Sequence, residues 1–425
     1  MNVARFAQAR AIADAVLFEG YLLYPYRASA PKNRTRWQFG VVAPPLWAKA
    51  RGTDPAALEV SFLVEVEDAA VPMFRLSGLL RFLHLRRRRI ERADAVLADA
   101  NDDRGRHFHD VPSLEVNARL YLPWEEGDVR ELAVSAGLPS MADATSFSFP
   151  GTVETQPLCD EDGALLGRVV REALPVCGRV TFTATAAGPR LFRVQARVEN
   201  GSDFAQVSGP REEAMRASLL GVHLLLAVEN GRFLSLTDPP AHAETVAKGC
   251  RNVGLFPVLV EEDAQQDVLL ASPIILEDHP RVAPESRGDF YDASEIDELL
   301  TLRTMTLTDS EKREVRATDV RAAALLDRVE STAEESLREL HGAFRPVPAP
   351  PRFPPGARVR LRPGPRRTDA QDMFLHGMTA TVEAIMQDVD GRECLAVTID
   401  DDPATELYRA QGRYLFFYED EVEVP

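Results

Sequence analysis

Arg106-His107-Phe108-His109-Asp110 is the tightest group of potential metal ligands in the chain. Held as a strand, this segment would turn the His107 and His109 imidazoles to one side, where they could chelate a metal while Asp110 reached in less favourably. Two ligands do not complete a site, and a third would have to come from a distant Cys, Asp or His. Surface histidines in a polar loop between Asp102 and Pro112 are the simpler expectation, and no cofactor is expected. Cys250, in AKGCRNVGLF, is the candidate reactive thiol, because Lys248 and Arg251 beside it would favour the thiolate. Glu277, Asp278, His279, Glu285, Asp289, Asp292, Glu295 and Asp297 supply oxygens for a hard cation, but their spacing fits no calcium loop and helix-start charge explains most of them. The motifs Gly-x-Ser-x-Gly, Gly-x-x-x-x-Gly-Lys and Gly-x-Gly-x-x-Gly are absent, so no nucleophile elbow or phosphate cradle is indicated.

Recognition chemistry is better represented. In Leu17 to Pro45, LFEGYLLYPYRASAPKNRTRWQFGVVAPP, three of the eight tyrosines fall within six residues, and Arg27, Lys32, Arg34 and Arg36 are interleaved with them. Aromatic faces and guanidinium groups together give contact area and directed hydrogen bonds. Tyr24, Arg27, Lys32, Arg34 and Trp37 are the expected partner contacts, whereas Tyr21, Leu23 and Phe39 suit a core. The prolines allow either an extended arm that orders on a partner or an aromatic-rich domain core. A second basic feature lies near the C-terminus. Arg352 to Arg367 holds six arginines and no acids, while Glu383 to Glu423 holds twelve acids and three arginines. Arg358, Arg360, Arg362, Arg366 and Arg367 would form the basic edge of a docking module, unless they balance the acids within it.

The scaffold for these groups reads as α+β and multidomain, since 425 residues exceed one ordinary core. Net charge of -17 argues against nucleic acid and anionic membrane as partners. No run of about 18 apolar residues predicts a membrane span, and four scattered cysteines without a Cys-x-x-Cys pair suggest a reducing compartment, the cytoplasm. Ala4 to Glu19 has helical apolar spacing and Leu58 to Val66 alternates like a strand. Phe74 to Ala100 is predicted helical, which would scatter Arg86 to Arg89 around the axis and leave them no common face. Residues 113–122, 178–187, 191–200 and 221–230 read as strands of an antiparallel sheet or sandwich, with Arg211 to Leu220 helical and two strand-like runs within 252–280. Caps at Ser294 and at Thr308 or Asp309 with Glu311 start helices in 292–342, with Leu325, Val329, Leu337 and Leu340 on the apolar face and Gly342 closing. Residues 343–356 contain six prolines and predict a stiff linker to a small β-barrel. The expected divisions are 1–110, an α+β region; 111–291, β-rich; 292–342, helical; 343–356, the linker; and 357–425, the barrel.

The aromatic-basic opening, residues 269–319 (LLASPIILEDHPRVAPESRGDFYDASEIDELLTLRTMTLTDSEKREVRATD) and the proline-led tail after residue 352 resemble an uncharacterised bacterial family associated with nickel-iron hydrogenase gene clusters. The resemblance covers most of the chain and brings no catalytic or binding residues with it. It implies an accessory or maturation role, with hydrogenase subunits or maturation proteins as partners. The expected function is therefore a non-catalytic assembly protein acting through protein recognition. The alternatives are an enzyme with a metal-assisted or thiol-dependent site in the β-rich region, and a structural subunit of a stable complex.

Overall fold

Strand β2, Phe74–Ala93, is the spine of the larger unit. Leu76, Leu80 and Phe82 point into one apolar core, while Leu79, Leu83 and Leu85 point into two others. A strand covered on both faces carries apolar residues at consecutive positions, which erases the period of two and mimics a helix in sequence. The predicted helix over Phe74 to Ala100 is corrected accordingly. One edge of β2 pairs with β6 (Trp124–Leu138) and then β3 (Phe108–Asp110), and the other with β12 (Leu220–Glu229) and then β9 (Leu165–Ala173), all antiparallel.

The computed structural model describes every residue except 1–2, 35, 37–38, 68–72, 95–106, 139–142, 261–265, 282–289, 292–296, 332–351, 364–374, 388–391, 401, 403–404, 406–408, 410–412 and 425. The chain divides into two compact units, Met1–Gly342 and Ala343–Pro425. Most of the proline-rich linker and the predicted cap at Ser294 lie outside the described residues, as do Leu337, Leu340 and Gly342.

In the first unit, the sheet built on β2 runs β14 (Phe256–Leu259), β15 (Val268–Ser272), β12, β2, β9, β8 (Thr152–Cys159), with β3 and β6 also on β2. A second sheet runs β13 (Gly231–Leu234), β1 (Ala57–Val66), β11 (Leu191–Asn200), β10 (Val176–Ala186), β7 (Asp143–Phe149). Val60, Phe62 and Val64 of β1 and Val194, Ala196 and Val198 of β11 share one core with Leu80 and Phe82 of β2 and Leu224 and Leu226 of β12. Two sheets thus bury their facing sides against each other, as the alternation in β1, β10 and β11 predicts. Because β2 pairs with β6, β9 and β12, the sheet crosses the expected division at residue 110. Residues 113–122 form a hairpin rather than one strand: β4 (Leu114–Val116) and β5 (Arg119–Tyr121) turn through Asn117 and Ala118, both at positive φ.

Helix α1 (Ala7–Leu17) buries Ala9, Ile12, Ala13, Val16 and Leu17, the predicted face. Short helix α2 (Pro45–Arg51) leads into β1, and α3 (Arg211–Met215) and α4 (Glu244–Ala247) connect later strands. Helices α5 (Asp297–Met305), α6 (Asp309–Thr318) and α7 (Val320–Glu330) follow. Leu300, Val315, Leu325, Leu326 and Val329 of these helices share a core with Tyr21, Leu22, Tyr26 and Trp47. The aromatic opening is therefore interior to this unit, not an arm held away from it. No described helix is long and apolar enough to cross a membrane.

The second unit is one antiparallel sheet in the order β19 (Leu415–Tyr418), β18 (Glu393–Ile399), β17 (Thr379–Gln387), β16 (Arg358–Leu361), β20 (Val422–Glu423). Val359, Leu361, Val382, Leu395, Val397 and Phe417 form its core. Among the described residues β19 and β20 are opposite edges that share no ladder, so the expected small barrel is corrected to an open sheet.

Candidate functional site

The predicted contact residues are largely engaged within the chain. The half-buried Tyr24 ring meets Tyr26 edge-on at 5.9 Å, with the Arg303 guanidinium also 5.9 Å away. Arg27 pairs with Glu311 of α6 at 3.1 Å, and Lys32 is exposed. Arg34 ends the 3-10 turn Pro31–Arg34, and Trp37 lies outside the described residues. In the second unit Arg358 pairs with Asp400 at 2.8 Å and Arg362 with Glu423 at 3.0 Å. Arg360 is exposed, and Arg366 and Arg367 lie outside the described residues.

The metal and thiol candidates are not brought together. His107 immediately precedes β3, its carbonyl accepting from the Asp94 amide at 2.9 Å, and His109 lies in β3 with Nδ1 2.9 Å from Asp94 Oδ1. Among the described residues no three potential ligands cluster. Lys248 is turned to Glu244 at 2.7 Å. Burial pushes the Cys250 thiol up, against a smaller opposing effect of Arg193, which corrects the expected activation. Iodoacetamide at neutral pH is expected to label the exposed Cys159 well before half-buried Cys250. Peptide mass mapping reads the order, and earlier labelling of Cys250 would restore it as a reactive thiol.

The residues that converge are arginines. Strand pairing sets Arg86 opposite Glu126 and Arg87 opposite Glu125. Arg86 and Arg88 form the floor of a cleft of about 840 Å³ with Glu126 and Asp128 of β6, Glu154 and Gln156 of β8 and Arg171 of β9. Arg119 and Tyr121 of β5 make one wall. Arg313 and Arg316 of α6, which packs beside β5, line the cleft too, with Asp319 and Arg321 at the α6–α7 corner. Glu126 sits at the hub, 3.1 Å from Arg86 and 3.2 Å from both Arg88 and Arg171. Arg88 also donates to the carbonyls of Ala317 at 2.8 Å and Thr318 at 2.7 Å, satisfying acceptors that the end of α6 leaves open. This tie fixes the helix corner to the sheet. Arg88 borders a smaller slot as well, of about 490 Å³, which contains Arg36, Arg87, Trp124 and Met215.

A buried network supports the corner from beneath. The Tyr21 hydroxyl donates to Asp319 Oδ2 at 2.6 Å and accepts from the Gly127 amide at 3.0 Å and the Trp124 indole at 3.4 Å. Burial, and then the Asp319 charge, push the Tyr21 phenol far above its ordinary range. Arg36 lies 4.0 Å over the Trp124 ring and donates to the Glu125 carbonyl at 3.1 Å; burial pulls its pKa down, opposed by Tyr21, Glu125 and Asp319. Asp319 also caps α7, accepting from the Arg321 amide at 2.8 Å.

The arrangement suits capture of an anion. Guanidinium groups present planar pairs of donors, and a concave site partly shielded from water strengthens each charge. Sequence reasoning missed this site because the arginine run was assigned to a helix. The available signal was the acidic pair Glu125-Glu126, which a hairpin-like pairing would set against the run. No family model, curated protein or solved structure matches the chain.

Proposed function

We propose that the protein is a non-catalytic accessory protein that grips an anionic group of a partner in the arginine cleft. The observation that carries this reading is the gathering of seven arginines, Arg86, Arg88, Arg119, Arg171, Arg313, Arg316 and Arg321, around one cleft in a chain of net charge -17. The described lining includes no Ser, Thr, Cys, His or Lys. Its acids are already engaged: Glu126 and Glu154 by Arg86, Asp128 by Arg86 and Arg130, Asp319 by Tyr21. Such carboxylates are occupied as counter-ions, which favours binding over acid and base work. With the resemblance, the partner is a hydrogenase subunit or maturation protein in the cytoplasm.

Capture from a native host expressing hydrogenase, read by mass spectrometry, tests this. Hydrogenase or maturation proteins should co-purify with the wild type and be depleted with Arg119→Glu/Arg313→Glu. Equal capture by both would remove the cleft from the contact, and unchanged hydrogenase assembly after gene deletion would remove the hydrogenase role. Helix α5 favours a second reading, as a structural subunit of a stable complex. Leu299, Leu302 and Met305 are exposed at spacing i, i+3, i+6, an apolar stripe of the kind that a permanent partner covers.

A further inference from the structure

We infer that the anionic group taken by the cleft is a phosphate monoester, with Arg119 and Arg313 as its direct contacts; the inference rests on the cleft being the binding site. Charge sets the class. Arg316 is neutralised outside the cleft by Asp327 at 3.0 Å and Glu330 at 2.6 Å. Six lining arginines then face the four carboxylates Glu126, Asp128, Glu154 and Asp319, which leaves two positive charges. A single carboxylate offsets one of them, whereas a phosphate monoester carries close to two negative charges at neutral pH.

Placement agrees with charge. Arg119 and Arg313 stand on β5 and α6, neighbouring elements that both line the cleft, and both are exposed. Neither has a carboxylate within ion-pair distance among the described residues. Arg119 is steadied by the Tyr121 ring, 5.2 Å from its guanidinium carbon, and keeps its edge donors for a ligand. Arg88 and Arg171, by contrast, are bound to Glu126 and hold the floor. Two guanidinium groups lining one cleft can each give a pair of parallel hydrogen bonds to phosphate oxygens, a geometry lysine cannot supply.

The phosphate could belong to a small molecule or to a phosphorylated side chain of the partner, and one titration series distinguishes them. Isothermal calorimetry on the full chain would use inorganic phosphate, phenyl phosphate, a phosphoserine peptide, sulfate and acetate. Phosphate is expected to bind and acetate to fail. Affinity should fall about tenfold for Arg119→Gln or Arg313→Gln and about a hundredfold for both. Thermal transitions should not change, because neither side chain supports the core. Lowering the pH through about 6 should weaken the phosphate esters, as they become monoanions, far more than sulfate. Tighter phenyl phosphate would identify a small ester as the source, and a tighter peptide would identify the partner. Equal affinity of wild type and double variant, or acetate binding as well as phosphate, would overturn the assignment. Partner capture that survives the double Gln variant while phosphate binding is lost would sink the phosphate assignment alone. Phosphate binding without any captured partner would sink the accessory reading alone.

Discussion

Replacing Asp319 with alanine is expected to destabilise the Met1–Gly342 unit by about 4 kcal/mol, the largest effect of any single substitution at the cleft. Asp319 is 4% exposed and does three things at once. It caps α7, and losing such a cap costs about 1 kcal/mol. It accepts the Tyr21 hydroxyl at 2.6 Å; without it, a buried O–H that already accepts from Gly127 and Trp124 has no acceptor of its own, at about 1–3 kcal/mol. It also contributes negative potential at buried Arg36, whose guanidinium is held charged against desolvation. All three tryptophans, Trp37, Trp47 and Trp124, lie in the first unit, so tryptophan fluorescence in urea reports its unfolding separately from the C-terminal sheet. Tyr21→Phe should cost less, about 2 kcal/mol, since the cap survives. The two changes should be far from additive in a double-mutant cycle, because each removes the same hydrogen bond. Additive losses, or an Asp319→Ala variant within about 1 kcal/mol of wild type, would show that the network does not hold the corner.

That corner also marks the limit of what the sequence discloses. Strands β10 and β11 were legible because each has one partly exposed face, and β12, buried on both faces, because Gly221 and Asn230 bound its apolar run. In Leu58 to Val66 the even positions all share the main core, while Glu59 and Glu65 meet polar side chains, Ser61 donates to the Arg251 carbonyl and Leu63 enters a smaller core. The cap at Thr308 was legible because its chemistry is local. The Thr308 hydroxyl accepts the Glu311 amide at 3.4 Å and Glu311 returns the bond to the Thr308 amide at 2.9 Å, both within one turn. Strand β2 was not legible, because cores on both faces remove its periodicity. The cleft was hidden with it, since Arg88 meets Ala317 and Thr318 across some 230 residues. Tyr21 is buried as its apolar surroundings suggest, but the half-buried Tyr24, expected as a contact, packs on Tyr26 beside Arg303 of α5; chain-distant helices decide that, and no local pattern could.

Acid should weaken the first unit well before the carboxylates titrate, through His223. This imidazole is fully buried in β12, its Nδ1–H donating to the Gly221 carbonyl at 2.8 Å, and burial with a smaller contribution from Arg81 pushes its pKa from 6.5 down to about 4. Arg81 stands opposite it across the β2–β12 ladder and is itself paired with Asp14 at 2.5 Å and Glu131 at 2.6 Å, so a second cation there has no counter-ion left to meet. The unfolded chain takes up the proton as pH falls through 6.5, whereas the folded chain refuses it until about 4. Stability from this residue is therefore complete above 6.5, declines across the window, and is level below about 4, a total loss of about 3 kcal/mol. His84, also lowered by burial, adds a loss of the same sign. Asp54, Glu65 and Glu213, whose pKa values are lowered by arginine partners, lose their contribution only at still lower pH. Urea midpoints of wild type and His223→Asn at pH 7 and pH about 4.5 isolate the residue, since the asparagine amide can replace the Nδ1–H bond but cannot take a proton. The wild type should lose about 2 kcal/mol more than the variant over that interval. Parallel losses in the two proteins would mean that His223 can be charged in the folded state, and that the space beside Arg81 is open enough to solvate both cations.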